Sequence, residues 1–442
     1  MSKIWRHPSR RDFLKLSASA GLAGSGLFSL AGDARAAAVL NLYAWSAGVD
    51  VVKSHLTAFE ARSGIKVNYN NTPWAQYRDT MVTKFVGRAP LDVMYVSDSW
   101  LPEWADAGWI APVNGFPELM KYNPAFDDFC TRSMQYKGQQ YGLTYYSDYM
   151  AFFYDEAMLK KAGFKAPPAT WAELVQQSIA IKKAGLSEYP MMLPMARESW
   201  LIEFLSALVY SHGGRFVDDN GFAVMDDPAH GAHQALQWIV DAVNKHKIVS
   251  PACVENGELN GLKSLGSGNH AFGLLSRYRI RTLNDPKQSA VAGRIRQALM
   301  PAGPNGSHAT VGWMRFHAMS GQAAADKARA TDAAKLIEWF GGKADGKWQF
   351  QKMMFGDVGT GFGVKELFRD PDVLASYQKY GELAMYEKQQ QLVKKKDVIT
   401  RWFAEWDEVN GAAWQSAVIG KSPVADALKK SAQSWNQLKK QA

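Results

Sequence analysis

An α/β fold organised in more than one domain is what this sequence predicts, and three observations carry that prediction. The chain has 442 residues, more than one hydrophobic core ordinarily supports. Its composition, 47% hydrophobic and 21% charged, is that of a globular protein and excludes disordered, collagenous and coiled-coil chains. Past residue 36, strand-like apolar runs alternate with stripes of helical period, the pattern of a parallel sheet covered on both faces.

The first element is an address rather than a fold. Ser9-Arg10-Arg11-Asp12-Phe13-Leu14-Lys15 is a twin-arginine sequence, followed from Leu16 to Leu30 by an uncharged stretch diluted with Gly, Ala and Ser. That stretch is too short for an anchored membrane helix. Ala34-Arg35-Ala36 supplies the small residues that a signal peptidase reads, so residues 1–36 are expected to be a twin-arginine (Tat) signal peptide and the mature chain to begin at Ala37. No lipobox cysteine follows, and the expected location is the periplasm. Of the formal charge of +9, residues 1–36 hold a net +4 (Lys3, Arg6, Arg10, Arg11, Lys15 and Arg35 against Asp12 and Asp33). The remaining +5 does not support a nucleic-acid partner. Cys130 and Cys253, the only two cysteines, stand in contexts that favour separate buried thiols.

Val39 to Trp45 predicts a strand; Val52, Leu56 and Phe59 predict a helix stopped by Gly64. Ile65, Val67 and Tyr69 alternate as a second strand, Tyr77, Met81 and Phe85 stripe a second helix ending near Gly87, and Leu91 to Val96 reads as a third strand. Ligands of open α/β sheets sit beyond the carboxyl ends of such strands. Here those ends are Trp45-Ser46, Asn70 to Trp74 and Ser97-Asp98-Ser99-Trp100, each pairing a Trp with small polar groups. No G-x-G-x-x-G follows the first strand and no Walker A sequence occurs, which disfavours a nucleotide.

A second unit follows Tyr145-Tyr146-Ser147-Asp148. Thr170 and Glu173 form a capping box at a helix start, Asp227-Pro228 is expected to open a helix running through Leu236, Ile239 and Val243, and Gly213-Gly214 to end another. Ala271 to Leu275 reads as a short buried strand and the tail from Asp426 as a basic amphipathic helix. Trp339, Trp402, Trp406 and Trp414 fall at helical spacing and are expected to pack, while Lys394-Lys395-Lys396 reads as a solvated face.

In this order the residues resemble a known family: the extracellular solute-binding proteins of ABC importers, carbohydrate-binding family 1, with maltose-binding protein as a distant relative. The resembling segments are Leu91-Asp92-Val93 running to Ala107–Pro112, Tyr141–Tyr146, Phe153-Tyr154-Asp155 to Gly163, the Thr170-Trp171 helix start, Gly213–Phe216, Gly268–Phe272, Met300-Pro301 to Gly306, and Ile419–Pro423. The resemblance implies a periplasmic-binding-protein-like fold of two α/β lobes with a discontinuous chain, a hinge and an interlobe cleft. It implies an N-terminal lobe of 37–146 and 309–360 and a C-terminal lobe of 147–308 and 361–442. Crossovers are expected at Thr144 to Asp148, at His308 to Met314, and at Gly359 to Gly363, where Gly-Thr-Gly-Phe-Gly departs from the proline-containing pattern usual in the family.

Carried over residue by residue, the resemblance places Trp45 and Asp98 in the cleft, Asp148 on a sugar hydroxyl, and Tyr278 at a position often held by a stacking aromatic. Trp200 is a second platform, and Gly312-Trp313 stands where a Gly-Gly segment approaches the ligand. With Trp74 and Trp100 these rings and carboxylates are the mixture a sugar needs, since rings cover its C–H faces and acceptors hold its hydroxyls. The expected function is capture of a sugar or polyol and delivery to an ABC transporter permease, by a monomer, with no cofactor, no metal and no catalysis. His230 and His233 share a helix face without a third ligand. Two alternatives stand beside it: an anionic solute such as a glycerol phosphate, for which Arg277, Arg279 and Arg315 would be the receptors, and a secreted carbohydrate-active hydrolase.

Overall fold

The computed structural model describes residues 39–442, so the expected signal peptide at 1–36 lies outside the described residues. Strand β1 (Val39–Trp45) buries Leu40, Leu42 and Ala44 on one face, as its alternation requires. Helix α1 (Val49–Ser63) packs Val52, Leu56 and Phe59 inward and ends at Gly64, whose φ of 71° is the left-handed conformation that favours glycine. Next come β2 (Lys66–Thr72), α2 (Trp74–Val86), the fully buried β3 (Val93–Ser97) and the short α3 (Leu101–Asp106). Both β2 and β3 pair with β1 in parallel, so the predicted βαβαβ unit forms.

The chain then enters β4 (Gly142–Asp155), a 14-residue strand buried almost throughout. The second half of the fold contains α4 (Trp171–Lys183), β5 (Met191–Met192), α5 (Leu201–Ser211), α6 (Gly231–Val240), α7 (Glu258–Gly266), β6 (Phe272–Ser276) and β7 (Ile295–Ala298). A second long strand, β8 (Thr310–Ser320), is followed by α8 (Lys327–Gly341), β9 (Val393–Lys394), α9 (Phe403–Val418) and α10 (Val424–Gln441).

A ten-stranded sheet runs β2-β1-β3-β8-β4-β6-β5, with β7 on β4 and both β9 and Ile110–Ala111 on β8. The two long strands are antiparallel to each other and to β3, β6 and β7, so the sheet is mixed; β2-β1-β3, β6-β5 and the β8-β9 pair are parallel. Strand β4 changes partners along its length: residues up to Tyr149 pair with β8, and those from Met150 pair with β6. This continuity makes residues 38–442 one compact unit. Among the described residues no helix is long and apolar enough to cross a membrane.

The capping box forms with a variation: Thr170 Oγ1 accepts from the Glu173 amide, and Glu173 Oε2 accepts from Ala169, one residue before the cap. Asp227-Pro228 does not open a helix. Asp227 instead closes a turn onto Ala229 and His230, and α6 starts at Gly231 with the His230 ring as its cap. Trp406 and Trp414 are fully buried, Trp339 and Trp402 partly so. Cys130 and Cys253 are buried and unbridged.

Candidate functional site

The carboxyl ends of β1, β2 and β3 converge, and each brings an indole. Trp45 ends β1, Trp74 opens α2 directly after Pro73, and Trp100 closes the 3-10 turn Asp98–Trp100 beyond β3. The Trp74 ring lies 6.1 Å from Trp45, edge to face, and 5.1 Å from Trp100, nearly parallel. Trp200, at the start of α5, reaches the same place from the other half of the sheet, 5.7 Å from Trp74. Trp74 Nε1 donates to Ser199 Oγ at 2.9 Å, and Trp313 of β8 stands edge-on to Trp200 at 5.1 Å. Five of the expected residues (Trp45, Trp74, Trp100, Trp200 and Trp313) therefore form one continuous aromatic wall. Trp74 and Trp100 border a cavity of about 320 Å3 that also touches Ser97, Glu203, Arg315 and Asp407.

Behind the indoles sits a buried cluster of charge. The register of β8 against β3 sets Arg315 opposite Ser97, and its Nη1 donates to Asp98 Oδ1 at 2.8 Å. Its guanidinium also lies 4.9 Å from the Trp74 ring centre and 5.9 Å from that of Trp200. Lys396 Nζ donates to Glu203 Oε1 at 2.9 Å and is 3.7 Å from Asp98 Oδ1. All four side chains are buried. Yet Asp98 Oδ2, Glu203 Oε2, Arg315 Nε, Trp313 Nε1 and Tyr95 Oη are buried without a hydrogen-bond partner among the described residues. Leaving such atoms unpaired is costly, about 1–3 kcal/mol each, and five of them lie together here beside the indoles.

Of the expected residues only Trp74 and Trp100 line that cavity; Trp45, Asp98, Trp200 and Trp313 touch its walls from behind through the ring contacts and the Arg315 pair, and Asp148 and Tyr278 lie elsewhere. Asp148 is fully buried, and each of its oxygens already accepts two bonds, from Arg277, Tyr149 and Gly361. Tyr278 is buried beneath the Arg279 guanidinium, 4.7 Å away, beside a separate small cavity lined by Phe355 and Tyr377. The close approach at Gly312 is to core side chains, Phe129 and Val393, because a Cβ there would meet both.

The run Lys394-Lys395-Lys396 is not a solvated face throughout: Lys396 is buried in the charge cluster. Sequence reading also missed Glu203 and Asp407. Glu203 looks like an interruption of an otherwise apolar helix, Leu201–Ser211, and that interruption was its signal. Asp407 borders the cavity from α9; burial first, then the Glu203 and Glu408 carboxylates, pushes its acid up to about 8. Among the described residues no group of three or more His, Cys, Asp or Glu side chains is placed to hold a metal ion.

Residues 33–347 match the bacterial extracellular solute-binding protein family. The chain belongs to that family. A Brucella abortus relative, provisionally named a binding protein, is 23% identical over 256 residues, covering 58% of this chain and 60% of that one. A Deinococcus radiodurans relative, provisionally named an ABC transporter-binding protein, is 26% identical over 304 residues, covering 66% and 67%. The chain thus spans about 60% of the length of the Brucella relatives it matches.

Solved structures give the same fold. T. maritima MalE3 with maltose bound superposes with a TM-score of 0.79 at 21% identity, covering 91% of this chain and all of that one. An ABC transporter solute-binding protein of Agrobacterium radiobacter K84 with ribitol gives 0.75 at 17% identity, covering 91% and 99%. One of Agrobacterium vitis S4 with D-mannitol gives 0.73 at 20%, covering 92% and 99%. The solute-binding protein therefore has the periplasmic-binding-protein-like α/β fold.

Proposed function

We propose that this solute-binding protein is the receptor of an ABC importer, capturing a sugar or polyol between two lobes and presenting it to a membrane permease. The observation that carries the reading is the set of unpartnered buried atoms beside the indole wall. Arg315 Nε and Trp313 Nε1 are donors, while Asp98 Oδ2 and Glu203 Oε2 are acceptors. A hydroxyl both donates and accepts, so a polyhydroxylated solute satisfies both kinds at once, while Trp74, Trp100 and Trp200 cover its C–H faces. The maltose, ribitol and D-mannitol complexes of proteins with this fold agree with that chemistry.

The anionic alternative is less favoured, because each of its three arginines already has a carboxylate partner. Arg277 is matched by Asp148, Arg279 by Glu258 and Arg315 by Asp98. Binding without a reaction is the proposed outcome, by a monomer with neither cofactor nor metal.

The lobes in this reading are 37–146 with 309–360 and 147–308 with 361–442, hinged where β4 and β8 cross and where 359–363 returns. Two glycines of that return support the assignment. A Cβ at Gly361 would collide with the Ser147 carbonyl and one at Gly363 with Cys130 Sγ, so the segment packs closely on β4 and on the helix that carries Cys130. Residues 1–36 would direct twin-arginine export to the periplasm.

A thermal-shift screen of mono- and oligosaccharides, polyols and phosphate esters tests the proposal. A solute held at about a hundred times its dissociation constant adds about 2.7 kcal/mol of stability. Shifts from sugars or polyols alone are the expected result. A shift from phosphate esters alone would overturn it, as would steady release of product from a glycoside.

A further inference from the structure

The cavity beside Trp74 and Trp100 is lined by one acid that no cation or hydrogen-bond donor among the described residues matches. Each cation that lines it has an oxygen partner: Arg78 has Glu103, Arg197 has Glu408 at 3.9 Å, Arg315 has Asp98, and Arg401 bonds the carbonyl of Ala442. The lining carboxylates are matched by those cations, by Lys396 at Glu203, and by the Glu258 amide at Glu198, with one exception. Asp407 has no hydrogen bond or ion pair among the described residues.

A second observation is independent of that count. Glu203, on α5, is 2% exposed, borders the same cavity and keeps Oε2 without a hydrogen-bond partner, although Lys396 holds its other oxygen. Two carboxylates on different helices, α5 and α9, therefore border one cavity with oxygen capacity unspent. Carboxylates so placed repel each other and favour a cation between them. The groups acting on Asp407 are Glu203, Glu408 and Lys396, two anions against one cation.

We infer that the solute carries an amino group, and that Asp407 together with Glu203 Oε2 is its ammonium subsite. The inference rests on the proposed capture of a sugar or polyol and narrows it to an amino sugar or an amino polyol. An ammonium supplies up to three donors and a full positive charge. Charge-assisted bonds of this kind are about twice as strong as neutral ones. The ammonium also ionises an acid otherwise pushed up to about 8. The hydroxyls and C–H faces of the same molecule remain for Arg315, Asp98 and the indoles.

Calorimetric titration of the mature full-length chain at pH 7 with matched probes tests this. The probes are D-glucosamine, D-glucose and N-acetyl-D-glucosamine, then 6-amino-6-deoxy-D-glucose, and N-methyl-D-glucamine against sorbitol. The expected result is at least one amine bound about tenfold or more tighter than its neutral counterpart, about 1.4 kcal/mol. That preference should vanish in Asp407→Asn, checked for an unaltered ligand-free melt, and shrink in Glu203→Gln, which loses its pair with Lys396 and is titrated well below its own lowered melt. If neutral sugars or polyols bind as tightly as the amines, the ammonium subsite is wrong and the capture of carbohydrate stands. If the amine preference survives in Asp407→Asn, the subsite is also wrong. If no carbohydrate or polyol binds at all, the proposed function fails with it.

Discussion

Arg277 grips Asp148 with two parallel bonds, Nε to Oδ1 at 2.8 Å and Nη2 to Oδ2 at 2.9 Å, and neither side chain reaches solvent. The same Nη2 donates to the carbonyl of Gly359 at 2.7 Å, and the Gly361 amide donates to Asp148 Oδ2 at 2.9 Å. The Arg277 guanidinium also rests 4.4 Å from the Tyr386 ring centre. One ion pair thus fastens β4, the turn beyond β6 and the returning segment 359–363. The sequence expectation of a sugar hydroxyl on Asp148 meets a carboxylate whose acceptor sites are already occupied.

Asp148→Asn is therefore expected to act on stability. Removing one partner of a buried pair leaves the other charge unmatched, at a cost of about 3–5 kcal/mol. Urea denaturation should show a lower midpoint with an unchanged slope, the unfolding free energy falling by that amount. An unaltered midpoint together with weakened solute binding would return Asp148 to the ligand.

Trp74→Ala should do the reverse. Trp74 is only partly buried but touches Trp45, Trp100 and Trp200 and bonds Ser199, which lines the same cavity. Loss of a central aromatic platform should weaken affinity by about 2 kcal/mol or more. Titration with whichever solute the thermal screen identifies measures it; affinity within a factor of about two of the parent would remove the ring from the binding surface.

Lys396 tests the charge cluster. Lys396→Met leaves Glu203 and Asp98 buried without their shared cation and should lower stability by about 3–5 kcal/mol. Combining it with Glu203→Gln should restore part of that loss, because one of the stranded charges is gone. Additive losses in the double variant, read from chemical denaturation, would show that the two side chains do not interact.

Stability should fall on mild acidification because of histidines rather than carboxylates. Burial holds His55 and His212 down at about 4 and His317 at about 3, against an ordinary value of 6.5. Both ring nitrogens of His317 lack partners, and Phe340 and Tyr145 press on its ring at 4.6 and 5.0 Å. The unfolded chain takes up these protons below about pH 6.5, whereas the native chain refuses them until about pH 3–4. Their contribution is complete above 6.5 and declines as pH falls, by up to about 1.4 kcal/mol per pH unit for each histidine. His317→Phe should make the decline between pH 6.5 and 4.5 shallower; an unchanged slope would show that this ring titrates normally.

Much of the first half was legible residue by residue. The strand Val39–Trp45, the helix ending at Gly64 and the parallel pairing of the first three strands follow from local apolar period and one left-handed glycine. Carboxyl-end geometry then located Trp45, Trp74 and Trp100. The helix start at Asp227-Pro228 misled because Asp caps turns as readily as helices, and here its side chain closes a turn three residues early. Lys396 misled because a lysine run is ordinarily solvated, and nothing nearby in sequence announces Glu203 or Asp98.

By itself the sequence determined the alternation of elements, the indoles at the strand ends and the family to which the chain belongs. Those depend on period, on turn chemistry and on motifs in order, all of which are local or one-dimensional. Tertiary structure alone decided the charges. Arg315 meets Asp98 because β8 lies antiparallel beside β3, and Lys396 meets Glu203 from 193 positions away in the chain. Asp148 belongs to Arg277 rather than to a ligand because β6 lies beside β4. A buried charge takes its role from the partner that desolvation forces on it, and that partner is chosen by strand register and helix packing.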